Sequence, residues 1–168
     1  MRNKQKGFSL IELLIVVAII LIIAAIAIPN LLRAQMAAHE SSAVGTVRTL
    51  VTSEVTYQST WGIGYSLTLA ALGGAVPCGT ASSTAACLID PVIAAGGPKS
   101  GYLIAAIGGN TVNGITNTFG VSAYPVTPGS TGTRTFCSDE SGVLRYNLTG
   151  AAMAAPSDAT CQAFPSLQ

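Results

Sequence analysis

Few residues in this chain could do chemistry, and each is best read beside its neighbours. Four cysteines, Cys78, Cys87, Cys137 and Cys161, all lie in the C-terminal half. A zinc site is poorly supported, because no C-x-x-C pair occurs and the single histidine, His39, is remote in sequence. An even cysteine count beyond an export signal points instead to disulfides made in an oxidising compartment. Four cysteines allow three connectivities; Cys78–Cys87 and Cys137–Cys161 are favoured because each closes a local loop. His39, a lone histidine without partners, reads as a solvated helix residue. Asp139 and Glu140 are adjacent, so on a strand they would point to opposite faces, and they read as turn residues rather than an acid/base pair. Asp139, Glu140 and Asp158 are too scattered for a calcium site. No serine has a histidine near it in sequence except through His39, and no phosphate- or dinucleotide-binding fingerprint occurs. Asn147-Leu148-Thr149 matches a glycosylation sequon, a short and unspecific signal. These residues predict no catalytic, metal or cofactor site, and hence a protein that is not an enzyme.

Charge narrows the partners. Only 9 % of the 168 residues are charged, against about 25 % in ordinary domains. The net charge of +1 hides a split: Arg2, Lys4 and Lys6 stand in the first six residues, and the remainder carries five basic against seven acidic side chains. Nucleic-acid binding finds no basic patch to support it.

The elements that would position these residues follow from periodicity. The run from Phe8 to Ile28 is 21 residues long with only Ser9 and Glu12 polar; as a helix it measures about 32 Å, close to bilayer hydrocarbon thickness. Pro29 removes one helix hydrogen bond and should kink the helix, after which strong helix formers resume. Val44, Val47, Val51 and Val55 recur at steps of three and four beside Leu50, predicting one apolar face from which Glu40, Arg48 and Glu54 are absent. The spacing predicts one helix over residues 8–60, about 80 Å long. Gly62 and Gly64 end it. Residues 66–101 read as a connecting loop with a helical turn near Leu67–Leu72. β-like runs follow at Tyr102–Ile107, Thr116–Tyr124, Thr133–Ser138 and Val143–Leu148, with Asp139-Glu140-Ser141-Gly142 as a hairpin turn. A tail with Pro156 and Pro165 could be stapled back through Cys161.

Three readings of the N-terminus compete. Ala25-Ile26-Ala27 offers a signal-peptidase match, but the apolar run is long for a secretory signal and contains Glu12. A plain signal anchor explains the length but not Glu12, whose charge is unfavourable within hydrocarbon. The third rests on Lys6-Gly7-Phe8-Ser9-Leu10-Ile11-Glu12, which closely resembles the class III signal of type IV pilins and pseudopilins. The basic leader, the Gly-Phe step, Glu12, the continuous apolar helix and Pro29 all take part. The resemblance implies removal of residues 1–7 by a prepilin peptidase cutting between Gly7 and Phe8, and N-methylation of Phe8. It also implies assembly through Glu12, paired with the N-terminal amine of a neighbouring subunit. A glycine before the cut gives the peptidase open access to the backbone.

The resemblance extends to layout: an α+β, pilin-like fold. Residues 8–28 would form the membrane-spanning and filament-core part of a long helix over 8–60. Residues 61–168 would form a head with an αβ-loop, an antiparallel sheet of about four strands and a disulfide-bound C-terminal region. The implied function is that of a structural subunit, the major pilin of a type IV pilus used for adhesion, surface motility or DNA uptake. Its implied partners are further subunits, the peptidase, the inner-membrane assembly platform and its motor ATPases. The precursor would sit in the inner membrane with a cytoplasmic N-terminus, as three basic residues before the apolar run suggest, and then move to an extracellular filament. A major pseudopilin of a type II secretion system is the alternative, which the scattered carboxylates disfavour. A membrane-anchored monomeric binding domain is the third reading.

Overall fold

A computed structural model describes residues 8–74 and 77–167. Elements run in the order α1 (Leu10–Trp61), α2 (Leu69–Leu72), α3 (Pro91–Ala94), β1 (Tyr102–Val112), β2 (Ile115–Pro125), β3 (Thr135–Asp139), β4 (Arg145–Asn147) and α4 (Asp158–Gln162). The arrangement is α+β and pilin-like: a long N-terminal helix with a four-stranded antiparallel sheet, order β1-β2-β3-β4, among the described residues. The chain divides into two compact units, with the boundary between Gln35 and Met36 inside α1.

In the first unit, α1 carries apolar side chains on all sides, and its most hydropathic 18-residue window has none of its residues buried. A helix that is apolar all round and buries nothing within its own chain needs another apolar medium or partner to cover it. By length and composition this segment is able to cross a membrane.

In the second unit, the helix buries a stripe at Glu40, Ala43, Val47, Leu50, Glu54 and Tyr57. The steps are alternately three and four residues, so one edge of the helix faces the core throughout. This corrects the valine face: Val44 and Val51 are only partly buried and Val55 is 52 % exposed, whereas Glu40 and Glu54 lie in the buried stripe. The helix stops where Gly62 takes φ +66° and donates its N–H to the Gln58 carbonyl at 2.9 Å, the left-handed C-terminal cap that glycine allows.

β1 and β2 pair from Tyr102↔Pro125 to Val112↔Ile115. They are joined by Asn113 (φ +51°) and Gly114 (φ +79°), the residue pair that two-residue turns favour because both central positions need positive φ. β2 continues onto β3 from Gly120↔Asp139 to Ala123↔Phe136, and β3 onto β4 from Thr135↔Asn147 to Cys137↔Arg145. Gly142 (φ +71°) donates to the Asp139 carbonyl at 2.9 Å, closing the turn where the sequence places it. The tail then adds to the edge of β4: Arg145 bridges Ser166, and Leu167 N–H donates to the Leu144 carbonyl at 2.7 Å.

The sheet is covered on both faces, which is why consecutive residues 119–123 and 135–139 are all buried. Phe119, Val121, Ala123 and Phe136 alternate onto one face and join Val47, Leu50 and Leu72 in the core. On the other face Ser122 donates to the Met153 carbonyl (2.6 Å), Thr135 to the Ala151 carbonyl (2.7 Å), and Cys137 is bonded to Cys161. Two short helices lie where the sequence reading placed only loop. Asp90 caps α3 by accepting from Val92 N–H, with Pro91 at its start, and a Ser157–Thr160 capping box opens α4.

Candidate assembly site and its supporting head

The candidate site begins at Phe8; Gly7, the residue before the expected cut, lies outside the described residues. Phe8 is 83 % exposed. Ser9 starts the helix, its carbonyl accepting from Leu13 N–H, while Glu12 Oε2 accepts from Ser9 N–H at 2.9 Å. A glutamate that reaches back to the first free N–H is half of a capping box, and its charge suits the positive end of the helix dipole. The same geometry turns the Glu12 carboxylate toward the end of the chain where Phe8 stands. Pro29 lies within α1. One residue on, Asn30 Nδ2 donates to the Ile26 carbonyl at 3.0 Å, adding a side-chain bond where proline has removed a backbone one.

The head holds three buried carboxylates, each matched to a different partner. Glu40 Oε1 accepts from Thr133 N–H (2.9 Å) and Thr133 Oγ1 (2.7 Å); Oε2 accepts from Arg134 Nε at 2.8 Å and lies 2.6 Å from its Nη2. Burial pushes the Glu40 carboxyl up, but the Thr133 and Arg134 bonds and the guanidinium charge outweigh it and hold it below the usual range. The Arg134 guanidinium also lies over the rings of Phe136 and Tyr146, 5.4 and 5.8 Å from their centroids. Asp139 is completely buried. It accepts from Ser141 N–H and Oγ and from Gln162 Nε2; burial pushes its carboxyl up, but these bonds and the Arg145 charge outweigh it and hold the pKa below the usual carboxylate range. Asp139 thereby closes its own turn and ties α4 to β3.

Glu54 differs. It is 0 % exposed and, among the described residues, accepts only from Ser66, from N–H at 2.8 Å and from Oγ at 2.6 Å. Burial raises its pKa, and the two Ser66 bonds offset this only in part. His39 is half-buried with Nδ1 3.0 Å from the Thr131 carbonyl, so it fastens the loop after β2 to the helix and is not the solvated residue its isolation in sequence suggested. Cys78 is bonded to Cys87 and Cys137 to Cys161, with Cα separations of 6.2 and 5.8 Å. Among the described residues no group of three or more potential metal ligands gathers.

Glu40, Glu54 and Asp139 were not legible as structural anchors because apolar periodicity scores only apolar residues. The signal was available in spacing: Glu40 and Glu54 are 14 residues apart, so they fall on the same helix edge as Val47. The Asn113-Gly114 turn was equally readable.

Similarity to known proteins bears on the same N-terminal segment. A family profile described as "Prokaryotic N-terminal methylation motif" matches residues 2–28. The profile covers only the N-terminal segment of this chain, and the likeness it carries is to that motif. The chain is similar to the type IV major pilin protein PilA of Myxococcus xanthus, 46 % identical over 56 residues, which is 33 % of this chain and 26 % of the relative. It is also similar to the type IV wide pilus major component PilA4 of Thermus thermophilus, 50 % identical over 58 residues, 34 % of this chain and 44 % of the relative. The match spans less than half the length of either relative. No solved structure matches this chain significantly. The similarity thus covers about a third of the sequence, and the remainder is described by its own packing.

Proposed function

We propose that this chain is the major structural subunit of a type IV pilus, a filament used for adhesion, surface motility or DNA uptake. The observation that carries the reading is the bare apolar helix opening on Glu12, within a matched methylation motif. In this reading residues 1–7 are a leader, removed by a prepilin peptidase that cuts after Gly7 and methylates Phe8. Until assembly the precursor sits in the inner membrane, N-terminus in the cytoplasm and head in the periplasm. The platform and its motor ATPases then draw subunits into the filament. The cut removes Arg2, Lys4 and Lys6 and creates an ammonium four residues before Glu12. The amine of a neighbouring subunit beside Glu12 neutralises its charge in a low-dielectric filament core. The buried face of the assembled helices replaces lipid with protein, so the same side chains serve both states. Electron microscopy of fibres sheared from cells, with N-terminal sequencing of the subunit, tests the reading. Long fibres beginning at N-methyl-Phe8 are expected; a chain confined to the envelope, with no surface fibre, overturns it in favour of a secretion pseudopilin.

A further inference from the structure

The two disulfides of the head stand in opposite surroundings. Cys137 and Cys161 are both 0 % exposed, closed in between β3 and α4. Cys78 is exposed and Cys87 half-buried. Nothing shields this second pair from the Gly74 side. A Cβ at Gly74 would come within 2.7 Å of Cys87 Sγ and 3.2 Å of Cys78 Sγ, so it is the glycine that lets the sulfurs lie against the backbone. From Leu69 to Ile89 the chain carries no charged residue, so an anionic reagent meets no like charge in that stretch.

The two exposed-side cysteines are anchored unequally. Cys87 N–H donates to the Gly73 carbonyl at 2.7 Å, and its neighbours Ala86 and Leu88 donate to the Ala71 and Leu72 carbonyls at 2.8 Å each. These bonds run to α2 and its cap, where Leu72 is buried, as is Ala86 opposite. Tyr57 adds a bond from its hydroxyl to the Ser83 carbonyl at 2.6 Å. The Cys87 side of the bridge is therefore held whether or not the sulfurs are joined. Cys78 has no such hold: between described residues, no backbone hydrogen bond involves residues 77–81. Cys87 also has φ +58°, a conformation that residues other than glycine rarely adopt and that only surrounding structure maintains. Its Sγ lies 3.7 Å from the Ala85 carbonyl, which can accept from an S–H.

We propose that Cys78–Cys87 is a site of thiol–disulfide exchange, attacked at Cys78 by an external thiolate, which releases residues 77–81 while the rest of the head keeps its fold. The attacking sulfur bonds to Cys78 Sγ, the Cys78–Cys87 bond breaks, and Cys87 leaves as a thiolate that takes a proton from water. A second external thiol then displaces the first from Cys78. Two thiols are thereby oxidised to one disulfide, and the bridge is reduced to two cysteine thiols. Access selects the sulfur that is attacked, and Cys78 is the exposed one. The Ala85 carbonyl stands ready for the thiol released at Cys87. Cys137–Cys161, fully covered, is closed to the same reagent until the head opens. The head thus has one bridge that holds its fold and one that follows the thiol content of its surroundings. None of this depends on the filament reading.

The test uses the full-length chain in detergent. Free thiols are blocked, the chain is exposed to rising glutathione, and newly freed thiols are trapped with a second alkylating agent and located by peptide mass spectrometry. Cys78 and Cys87 are expected to open at about tenfold less glutathione than Cys137 and Cys161, with the glutathione adduct on Cys78. Opening of both bridges together, opening of Cys137–Cys161 first, or an adduct on Cys87 overturns the proposal. A Cys78→Ser, Cys87→Ser double variant is expected to accumulate at wild-type level and to gain a protease cut within residues 77–81, the rest of the head staying resistant. Accumulation as poor as that of Cys161→Ser would show that the bridge holds the fold, and overturns its local role. These readouts are taken on the subunit, so the filament reading stands or falls separately on its fibres.

Discussion

At the residue scale, the carboxylates divide by what neutralises them. Among the described residues Glu12 has only Ser9 N–H as a partner, and the proposed cation comes with cleavage and assembly. Glu12→Val is therefore expected to insert in the membrane at wild-type level and to yield little fibre in a strain lacking wild-type subunits, read by immunoblots of membrane and sheared fractions. Glu40 and Asp139, with pKa values held low, contribute stability that is present above the ordinary carboxylate range and is lost as pH falls through their folded values. Glu54 has the opposite sign. Its folded pKa is raised, so its contribution is full below the unfolded value, about 4.3, and is lost as pH rises through the folded one. Glu54→Gln is expected to flatten the loss of stability as pH rises above the ordinary carboxylate range, measured as urea midpoints of the full chain in detergent. The experiment fails the idea if wild type and variant keep parallel pH profiles. Breaking the Glu40 pair by Arg134→Met leaves a buried charge without its cation and should lower stability by about 2–3 kcal/mol, checked by the same midpoints.

At the element scale, the local elements were legible and their long-range anchors were not. Four strand positions and the Asp139–Gly142 turn follow from β-branched runs and a glycine at the required φ. The carboxylate partners could not be read this way. Thr133 lies 93 residues from Glu40, and nothing local in either segment signals the other. The same holds for the second cover of the sheet, since residues 151–157 carry no strand or helix pattern and are placed by side chains of β2 and β3 reaching their carbonyls. The Cys137–Cys161 bond, which closes a separation of 24 residues, fastens that cover. Cys161→Ser is expected to cost about 2–4 kcal/mol and to reduce subunit accumulation without affecting membrane insertion, measured by protease resistance in membrane fractions. Gly64→Ala combines positive φ with a side chain that meets the Thr116 backbone; it should destabilise the head by about 1–3 kcal/mol and expose the start of the αβ-loop to protease.

At the scale of the molecule, the two units solve different problems. Residues 8–28 form a largely apolar run within the matched methylation motif; the unit from Met36 onward is low in charge and held by the Glu40–Arg134 ion pair, hydroxyl-to-carbonyl bonds and two disulfides. One detail of the sheet bears on life before assembly. In the proposed precursor, subunits in a membrane would face one another at high two-dimensional density, where any open strand edge invites amyloid-like cross-pairing. Here the tail lies along β4 through Ser166 and Leu167, and Thr68 crosses the margin of β1 at Ile107. In the proposed filament subunit the β4 edge is thus occupied by the tail and β1 is met at Ile107 and Gly108, leaving association to side chains that recognise a particular mate.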